Sequence, residues 1–397
     1  MLEKIQRNIK LIYGLAFSHS FMVIMPVIVP FFMSKGLSLS EIFYLQVIYA
    51  LTIVLLEAPS GYFADLLGRR IALICGSVAH GLGYFYLNLV DGFAGLVIFE
   101  VTVGVAASLL SGADLALLYD SQRALQEEDL PHSSGIAHLG FLKSLAEGLG
   151  ALFGGVLAMY SFDLMIIIQS VSAWICLGLA LQLAEPPSRE EESGHDLRLA
   201  TILRFIWYAD PVLRNVFIAI PAYNLATLHV AWLVQPYWES QGISLAVFGV
   251  LWCLQSITTG VASRIGYVIE RHHGAIFSLA LIGVLPIVGL FGLAIVDGGA
   301  GMVLGLLLFF GRGLNQVILV NALNRRVPGA FRATVNSLTG FSFRLAFIVS
   351  GPLIGYVAEY HGLHSAFLVL AVSSICFFGL IMLPLIKSVQ YLLRAPL

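Results

Sequence analysis

The stretch GYFADLLGRR (Gly61–Arg70) follows a run from Leu45 to Leu56 that carries no charge, and it brings three charges in ten positions, with Glu57 just ahead of it. Two glycines punctuate it. So abrupt a change marks the point where an apolar helix meets water. The rest of the 397-residue chain agrees, with 59% hydrophobic and only 11% charged residues, against about 25% charged in a soluble domain. No soluble core encloses that much apolar surface at this length, so the bilayer is the solvent the composition fits. A formal net charge of −2 gives no field that would argue for nucleic acid or an acidic partner. Cys75, Cys176, Cys253 and Cys376 all lie in apolar runs without metal-like spacing, and they read as small hydrophobes rather than disulfides or ligands. The first apolar run is full length and no small-residue cleavage site follows it, so it is expected to stay as an anchor.

Roughly 20 mostly apolar residues cross a hydrocarbon core as a helix. That ruler predicts twelve spans, at 11–33, 41–64, 71–90, 93–118, 134–160, 163–183, 212–237, 244–268, 274–295, 300–323, 333–358 and 364–386. The runs are continuously apolar rather than alternating, which favours helices over a barrel. With the N-terminus in the cytoplasm, all but Lys35, Lys143, Arg312 and Arg344 of the 21 lysines and arginines fall on that side. Such asymmetry is what positive-inside sorting produces. The expectation is a multi-pass protein of a bacterial inner membrane with both termini cytoplasmic.

The polar stretch Ala184–Leu199 divides the spans six and six. It predicts an N-terminal domain over 1–183, a cytoplasmic linker over 184–211 with an interfacial helix, and a C-terminal domain over 212–397. The halves echo each other at an offset of 200, as in Gly140/Gly340, Phe141/Phe341, Leu145/Leu345, Ala146/Ala346, Gly155/Gly355, Ala158/Ala358 and Tyr160/Tyr360. GYFAD (Gly61–Asp65) has a fainter echo in GYVIE (Gly266–Glu270). Parallel repeats of this kind describe a transporter whose halves rock.

The pattern Gly-x-x-x-Asp-x-x-Gly-Arg-Arg, carried by Gly61, Asp65, Gly68, Arg69 and Arg70 at the end of span two, resembles the signature loop of the major facilitator superfamily. The expected fold is therefore all-α, with twelve transmembrane helices in two six-helix repeats. SGADLALLYD (Ser111–Asp120), at the end of span four, resembles a bacterial branch of the same superfamily. The residues make physical sense of the loop. Gly61 lets span two approach a neighbour, Gly68 permits a turn too tight for a Cβ, and Asp65 stands where it caps a helix N-terminus. Arg69 is expected to reach Asp120. The resemblance implies a latch on the cytoplasmic side; the alternative is that Arg69 and Arg70 only hold the loop inside.

An ionisable residue inside a span costs several kcal/mol and is a functional candidate by default. In span four, Glu100, Gly104, Ala107, Ser111 and Asp114 step by four and three, which predicts one small, polar helical stripe. In the superfamily that span often carries an arginine four residues before a glycine; here the position is Glu100. Other candidates are Glu57 in span two, Lys143 and Glu147 in span five, Arg312 in span ten, Arg344 in span eleven, and His19 and His229 in spans one and seven, with Asn315 of span ten as an uncharged polar candidate. By resemblance, spans one, four, seven and ten line a central cavity. A carboxylate out of water can load and unload a proton near neutrality, whereas arginine cannot release one. Glu100, Asp114 and Glu147 are therefore the expected proton-coupling residues, and Arg312, Arg344, His19, His229 and Asn315 the expected substrate contacts. Two alternatives stand beside this division: an ion pair within the bundle for the arginines, and mutual neutralisation of Lys143 and Glu147, four residues apart. GALFGG (Gly150–Gly155) and SGPLIG (Ser350–Gly355) resemble the glycine-rich segment of proton-antiporting exporters; close helix packing is the alternative.

The expected activity is proton-coupled secondary transport of a small organic molecule, export ahead of uptake by symport. A channel or an intramembrane enzyme is the competing class. No HExxH, GxSxG or Walker loop is found, so no enzyme, cofactor or metal is expected. The expected partners are substrate, protons and lipid, with the protein a monomer.

Overall fold

The computed structural model describes residues 2–125, 132–186, 199–328 and 331–394, and among these every regular element is helical. Residues 187–198 of the expected linker lie outside the described residues. The first half runs through α1 (Leu2–Ser20), α2 (Ile28–Ser34), α3 (Leu39–Leu67), α4 (Arg69–Leu87), α5 (Gly92–Leu110), α6 (Ala113–Ala124), α7 (His132–Ala158) and α8 (Phe162–Ala180). After them come α9 (Leu199–Tyr208), α10 (Pro211–Ser240), α11 (Leu245–Ile295), α12 (Gly298–Leu314), α13 (Val320–Arg326), α14 (Arg332–His361), α15 (Leu363–Phe377) and α16 (Leu383–Arg394). Two π-helical turns, Asn315–Leu319 and Phe378–Met382, join α12 to α13 and α15 to α16.

Ten segments of the described residues are long and apolar enough to cross a bilayer. Two details reconcile this with twelve spans. The 51 residues of α11 would reach about 76 Å as one rod, more than twice a hydrocarbon core of about 30 Å. The rod is interrupted at Gly274, with φ 82° and ψ 168°, so α11 is spans eight and nine set end to end. The third span is α4, 19 residues long, whose leading Arg69 and Arg70, His80 and three glycines dilute its hydropathy.

Helix ends are set by local chemistry. Ser38 and Glu41 form a reciprocal capping box at the start of α3. Ser161 accepts the first N–H groups of α8, and Asp210 followed by Pro211 starts α10. Three joints are a single glycine: Gly68 between α3 and α4, Gly274 within α11, and Gly362 between α14 and α15. Their φ values are 99°, 82° and 85° with ψ of 147°, 168° and 162°, a region essentially closed to other residues.

Spans one and four are not continuous. Span one breaks after Ser20, passes through a 3-10 turn at Met25–Val27 around Pro26, and resumes as α2. Span four breaks where Ser111 is extended and Gly112 takes φ 83°. The single stripe from Glu100 to Asp114, which one helix would stretch over roughly 21 Å, is therefore corrected to two faces on two helices.

The chain forms two compact units, Met1–Glu192 with Gly242–Cys253, and Ser193–Gln241 with Leu254–Leu397. In the first, Ile12, Leu15, Leu73, Leu117 and Leu118 are buried together. In the second, Leu213, Val216, Ile220, Leu319 and Met382 form the core, and Ile202 and Ile206 of α9 join it. Many large apolar side chains face outward instead, among them Leu55, Val349 and Leu380 at 64%, 79% and 77% exposed. Such a surface suits lipid tails rather than water.

The first unit is held at its tightest by glycines of α7. A Cβ at Gly154 would stand 1.8 Å from the Val23 carbonyl oxygen, in the break of span one. On a neighbouring face, a Cβ at Gly155 would stand 2.6 Å from the Ala246 carbonyl, and one at Gly249 would stand 2.2 Å from the Ala151 carbonyl. GALFGG thus brings α7 backbone-to-backbone against span one and the start of α11. Gln169 of α8 supplies the broken backbone of span one with a partner, its Oε1 accepting from the Val23 N–H at 2.7 Å.

Candidate functional site

At the α3–α4 joint Arg69 turns its guanidinium onto the Asp120 carboxylate of α6 and donates to the Ala116 carbonyl at 2.9 Å. The expected pair is formed. The cap on α4 is a different residue from the one expected: Glu185, just past span six, accepts the backbone N–H of Arg69 at 2.9 Å and of Arg70 at 2.8 Å. A carboxylate across two N-terminal N–H groups meets the positive end of the helix dipole. Asp65 lies in the last turn of α3, exposed. Gly61 is also exposed, and a Cβ there would meet nothing within 4 Å among the described residues. The close approach expected of Gly61 is thus absent, whereas a Cβ at Gly68 would press on the Glu185 carboxyl at 3.1 Å. Arg70 reaches the Leu181 carbonyl at 3.2 Å. Buried Asn8 of α1 donates to Ser121 Oγ at 3.1 Å and exchanges two hydrogen bonds with the backbone of Ala184, at 2.7 and 2.9 Å. The sequence flagged neither Glu185 nor Asn8, because both partners lie more than a hundred residues away.

Two predictions test this end. Glu185→Gln keeps an acceptor but loses the charge, and should cost a few tenths to about 1 kcal/mol. Gly68→Ala adds backbone strain and should cost more, about 1–3 kcal/mol. Thermal unfolding followed by a thiol dye at buried Cys176 should rank Gly68→Ala below Glu185→Gln; the reverse order would refute the assignment.

The membrane interior of the first unit holds a series of buried polar groups. Glu100 of α5 is buried and accepts from Gln46 Nε2 of α3 at 2.8 Å. Gly104, one turn on, lets α3 approach, since a Cβ there would meet Thr52 at 2.9 Å. This half of the expected stripe therefore faces protein. Asp114 of α6 is buried and pairs with Lys143 of α7 at 2.8 Å, while its other oxygen accepts the Leu115 N–H at 2.7 Å. Lys143 thus answers Asp114 across the unit; Glu147, one turn further along α7, has a partner of its own. His19 of α1 lies in electrostatic range of both Asp114 and Lys143 and sets its ring 4.8 Å from that of His80 on α4. His80 packs edge-on against Tyr84 at 5.0 Å, and Tyr84 against Phe99, beside Glu100, at 5.5 Å. The sequence reading passed over His80, although the rule that singled out His19 and His229 applies to it equally.

In the second unit, buried His229 of α10 donates from Nδ1 to the Leu225 carbonyl at 2.8 Å, and its Nε2 lies 3.1 Å from Ser350 Oγ. Asn315 opens the π turn after α12. It donates to the Ile220 carbonyl at 3.3 Å and to Asn224 Oδ1 at 3.1 Å, leaving its own buried Oδ1 without a hydrogen-bond partner among the described residues. A π turn of this kind often marks a functional position. Arg312 and Arg344 are partly buried on α12 and α14, and both are engaged by neighbours.

A helical, multi-span chain with lipid-facing sides and an ion pair between two of its spans is an integral membrane protein. Residues 11–346 match the family model of the Major Facilitator Superfamily, and the chain belongs to that superfamily. Among curated relatives, the Quinolone resistance protein NorA of Staphylococcus aureus is 20% identical over 232 residues, 57% of this chain and 58% of that protein. The chain thus spans little more than half the length of those relatives. The MFS-type transporter YxaM of Bacillus subtilis is 21% identical over 87% of this chain and 88% of its own. The nucleoside transporter NupG has the same fold, with a TM-score of 0.72 at 15% identity over 98% of this chain and 99% of that one. The D-xylose-proton symporter gives 0.67 at 15% identity over 96% and 98%.

Proposed function

We propose that the protein is a proton-coupled exporter of a small organic compound. It works by alternating access, as a monomer in a bacterial inner membrane with both termini in the cytoplasm. Its six-helix halves are 1–183 and 212–397, joined by 184–211. The observation that carries this reading is the Asp114–Lys143 pair inside the spans, at 2.8 Å, in the same unit as Glu100. A proton on Asp114 cancels the attraction and frees Lys143, so proton binding changes which helices are held together. Glu100 and Glu147 are the further carboxylates of this system. Arg312 and Arg344 offer fixed positive charge to an acidic group on the substrate, with His19, His229 and Asn315 as polar contacts. Gly61, Asp65, Gly68, Arg69, Arg70 and Asp120 form the cytoplasmic latch. The quinolone resistance proteins among the relatives support export.

Proteoliposomes and norfloxacin, a quinolone that carries a carboxylate, test the reading. Vesicles with an acidic interior should accumulate the compound, and a protonophore should abolish the accumulation. Accumulation only in vesicles with an alkaline interior identifies a symporter. Equilibration without accumulation identifies a passive path.

A further inference from the structure

His80 occupies α4, and no role assigned so far uses it. It is 3% exposed, its Nε2 has no hydrogen-bond partner among the described residues, and burying such a group unpaired is unfavourable. A chain that retains it has a reason beyond packing, because leucine would fill the same space at no such cost. Its surroundings supply one. On one side stands His19, ring to ring at 4.8 Å, and beyond His19 the Asp114–Lys143 pair. On the other stands Tyr84 at 5.0 Å, whose phenolic oxygen donates to Met22 Sδ at 3.2 Å. Tyr84 lies in turn within electrostatic range of Glu100, Tyr49 and Cys176. Asp114 of α6 and Lys143 of α7 thus act on His19, while Tyr84 links His80 to Glu100 of α5, Tyr49 of α3 and Cys176 of α8.

Resting on the proton-coupled reading above, we propose that His19 and His80 form a two-imidazole relay that shares one proton and carries it between Asp114 and Glu100. Asp114–Lys143 and Glu100–Gln46 sit on opposite sides of the break at Ser111–Gly112, and among the described residues no direct hydrogen bond joins them. The series His19, His80 and Tyr84 links them, with His19 in electrostatic range of Asp114 and Tyr84 in that of Glu100. The transfer balances: protonated Asp114 gives its proton to His19 and is left as carboxylate, and His19 passes it to His80. Tyr84 takes it from His80 as its own hydroxyl proton goes to the Glu100 carboxylate, so that one proton moves and each group between is restored. Two imidazolium ions this close repel, so the pair holds one proton at a time. The Lys143 ammonium opposes a proton on His19 and the Asp114 carboxylate favours one, so protonating Asp114 removes the attraction and shifts the shared proton towards His80.

Nitrogen-15 NMR of imidazoles in the full-length, detergent-solubilised protein tests this without any substrate. The ten histidines are assigned by His19→Gln and His80→Gln. The relay predicts that the two imidazoles titrate as a coupled pair. His80→Gln should move the His19 midpoint by about one pH unit, a tenfold change in proton affinity, and Asp114→Asn should move the midpoints of both. Identical His19 midpoints in the unaltered protein, His80→Gln and Asp114→Asn would overturn the relay, as would two imidazoles that stay neutral throughout the titration. In norfloxacin-loaded proteoliposomes the relay further predicts that His80→Gln flattens the dependence of flux on internal pH. An unchanged profile would overturn it. Flux that ignores pH in the unaltered protein, together with a coupled titration, would instead overturn the proposed transport function and leave the proton pair standing.

Discussion

Asp114→Asn is expected to lower gradient-driven flux about a hundredfold while the protein still folds. Asparagine matches aspartate in shape and can still accept the Leu115 N–H, but it neither titrates nor answers Lys143. Breaking a fully buried ion pair costs about 3–5 kcal/mol. Here the Lys143 side chain is 37% exposed against 10% for Asp114, so water takes up part of the lost partner and the stability loss should fall to about 1–2 kcal/mol. The larger loss is functional, because the charge that a proton would cancel is gone. The double variant Asp114→Asn/Lys143→Met separates the two effects. It removes the orphaned ammonium and should recover thermal stability, yet flux should stay low. Recovery of both would make the pair a structural tie and nothing more.

Gly154→Val is expected to prevent assembly of the first unit. The obstacle at 1.8 Å is the Val23 carbonyl oxygen, with Val23 C at 2.8 Å and Pro26 Cγ at 3.1 Å behind it. Backbone cannot swing aside as a side chain can, so α7 would have to move off span one, at a cost above the about 1–3 kcal/mol of ordinary overpacking. Gly148→Ala, on the same helix, is the control, since its Cβ would meet only Cys253 Sγ at 3.6 Å among the described residues. Size-exclusion profiles of fluorescent fusions should show a monodisperse peak for Gly148→Ala and aggregate for Gly154→Val. A monodisperse Gly154→Val with unchanged melting would refute this packing.

What could be read from the chain beforehand follows a physical line. Spans announce themselves because the bilayer tolerates only long apolar helices, and the Arg69–Asp120 pair was within reach because both ends fall at span termini on one membrane side. The stripe on span four misled for the converse reason. Helical spacing assumes an unbroken rod, and Gly112 looks like any other small residue until its φ is known. Glu185 was hidden inside a stretch whose polarity fits a linker, although its carboxylate closes the first turn of α4. Lys143 had two carboxylates to choose from, Glu147 by sequence spacing and Asp114 by topology, and only the folded chain brings α6 beside it. His80 escaped because neither neighbour announces itself. His19 arrives from another span, and Tyr84 from its own helix, where an aromatic at i+4 reads as packing.

The one-residue glycine joints decide how this protein can be handled at the bench. At Gly68, Gly274 and Gly362 one helix stops and the next begins with no loop between them. A protease added from either side finds no extended strand to cut at these points. An epitope or reporter spliced in there must first pry two helix ends apart, so a negative signal would record a broken bundle rather than a sidedness. The joint between α7 and α8, where Met159–Ser161 leave the helix and Ser161 caps the next one, is the better place to mark the chain.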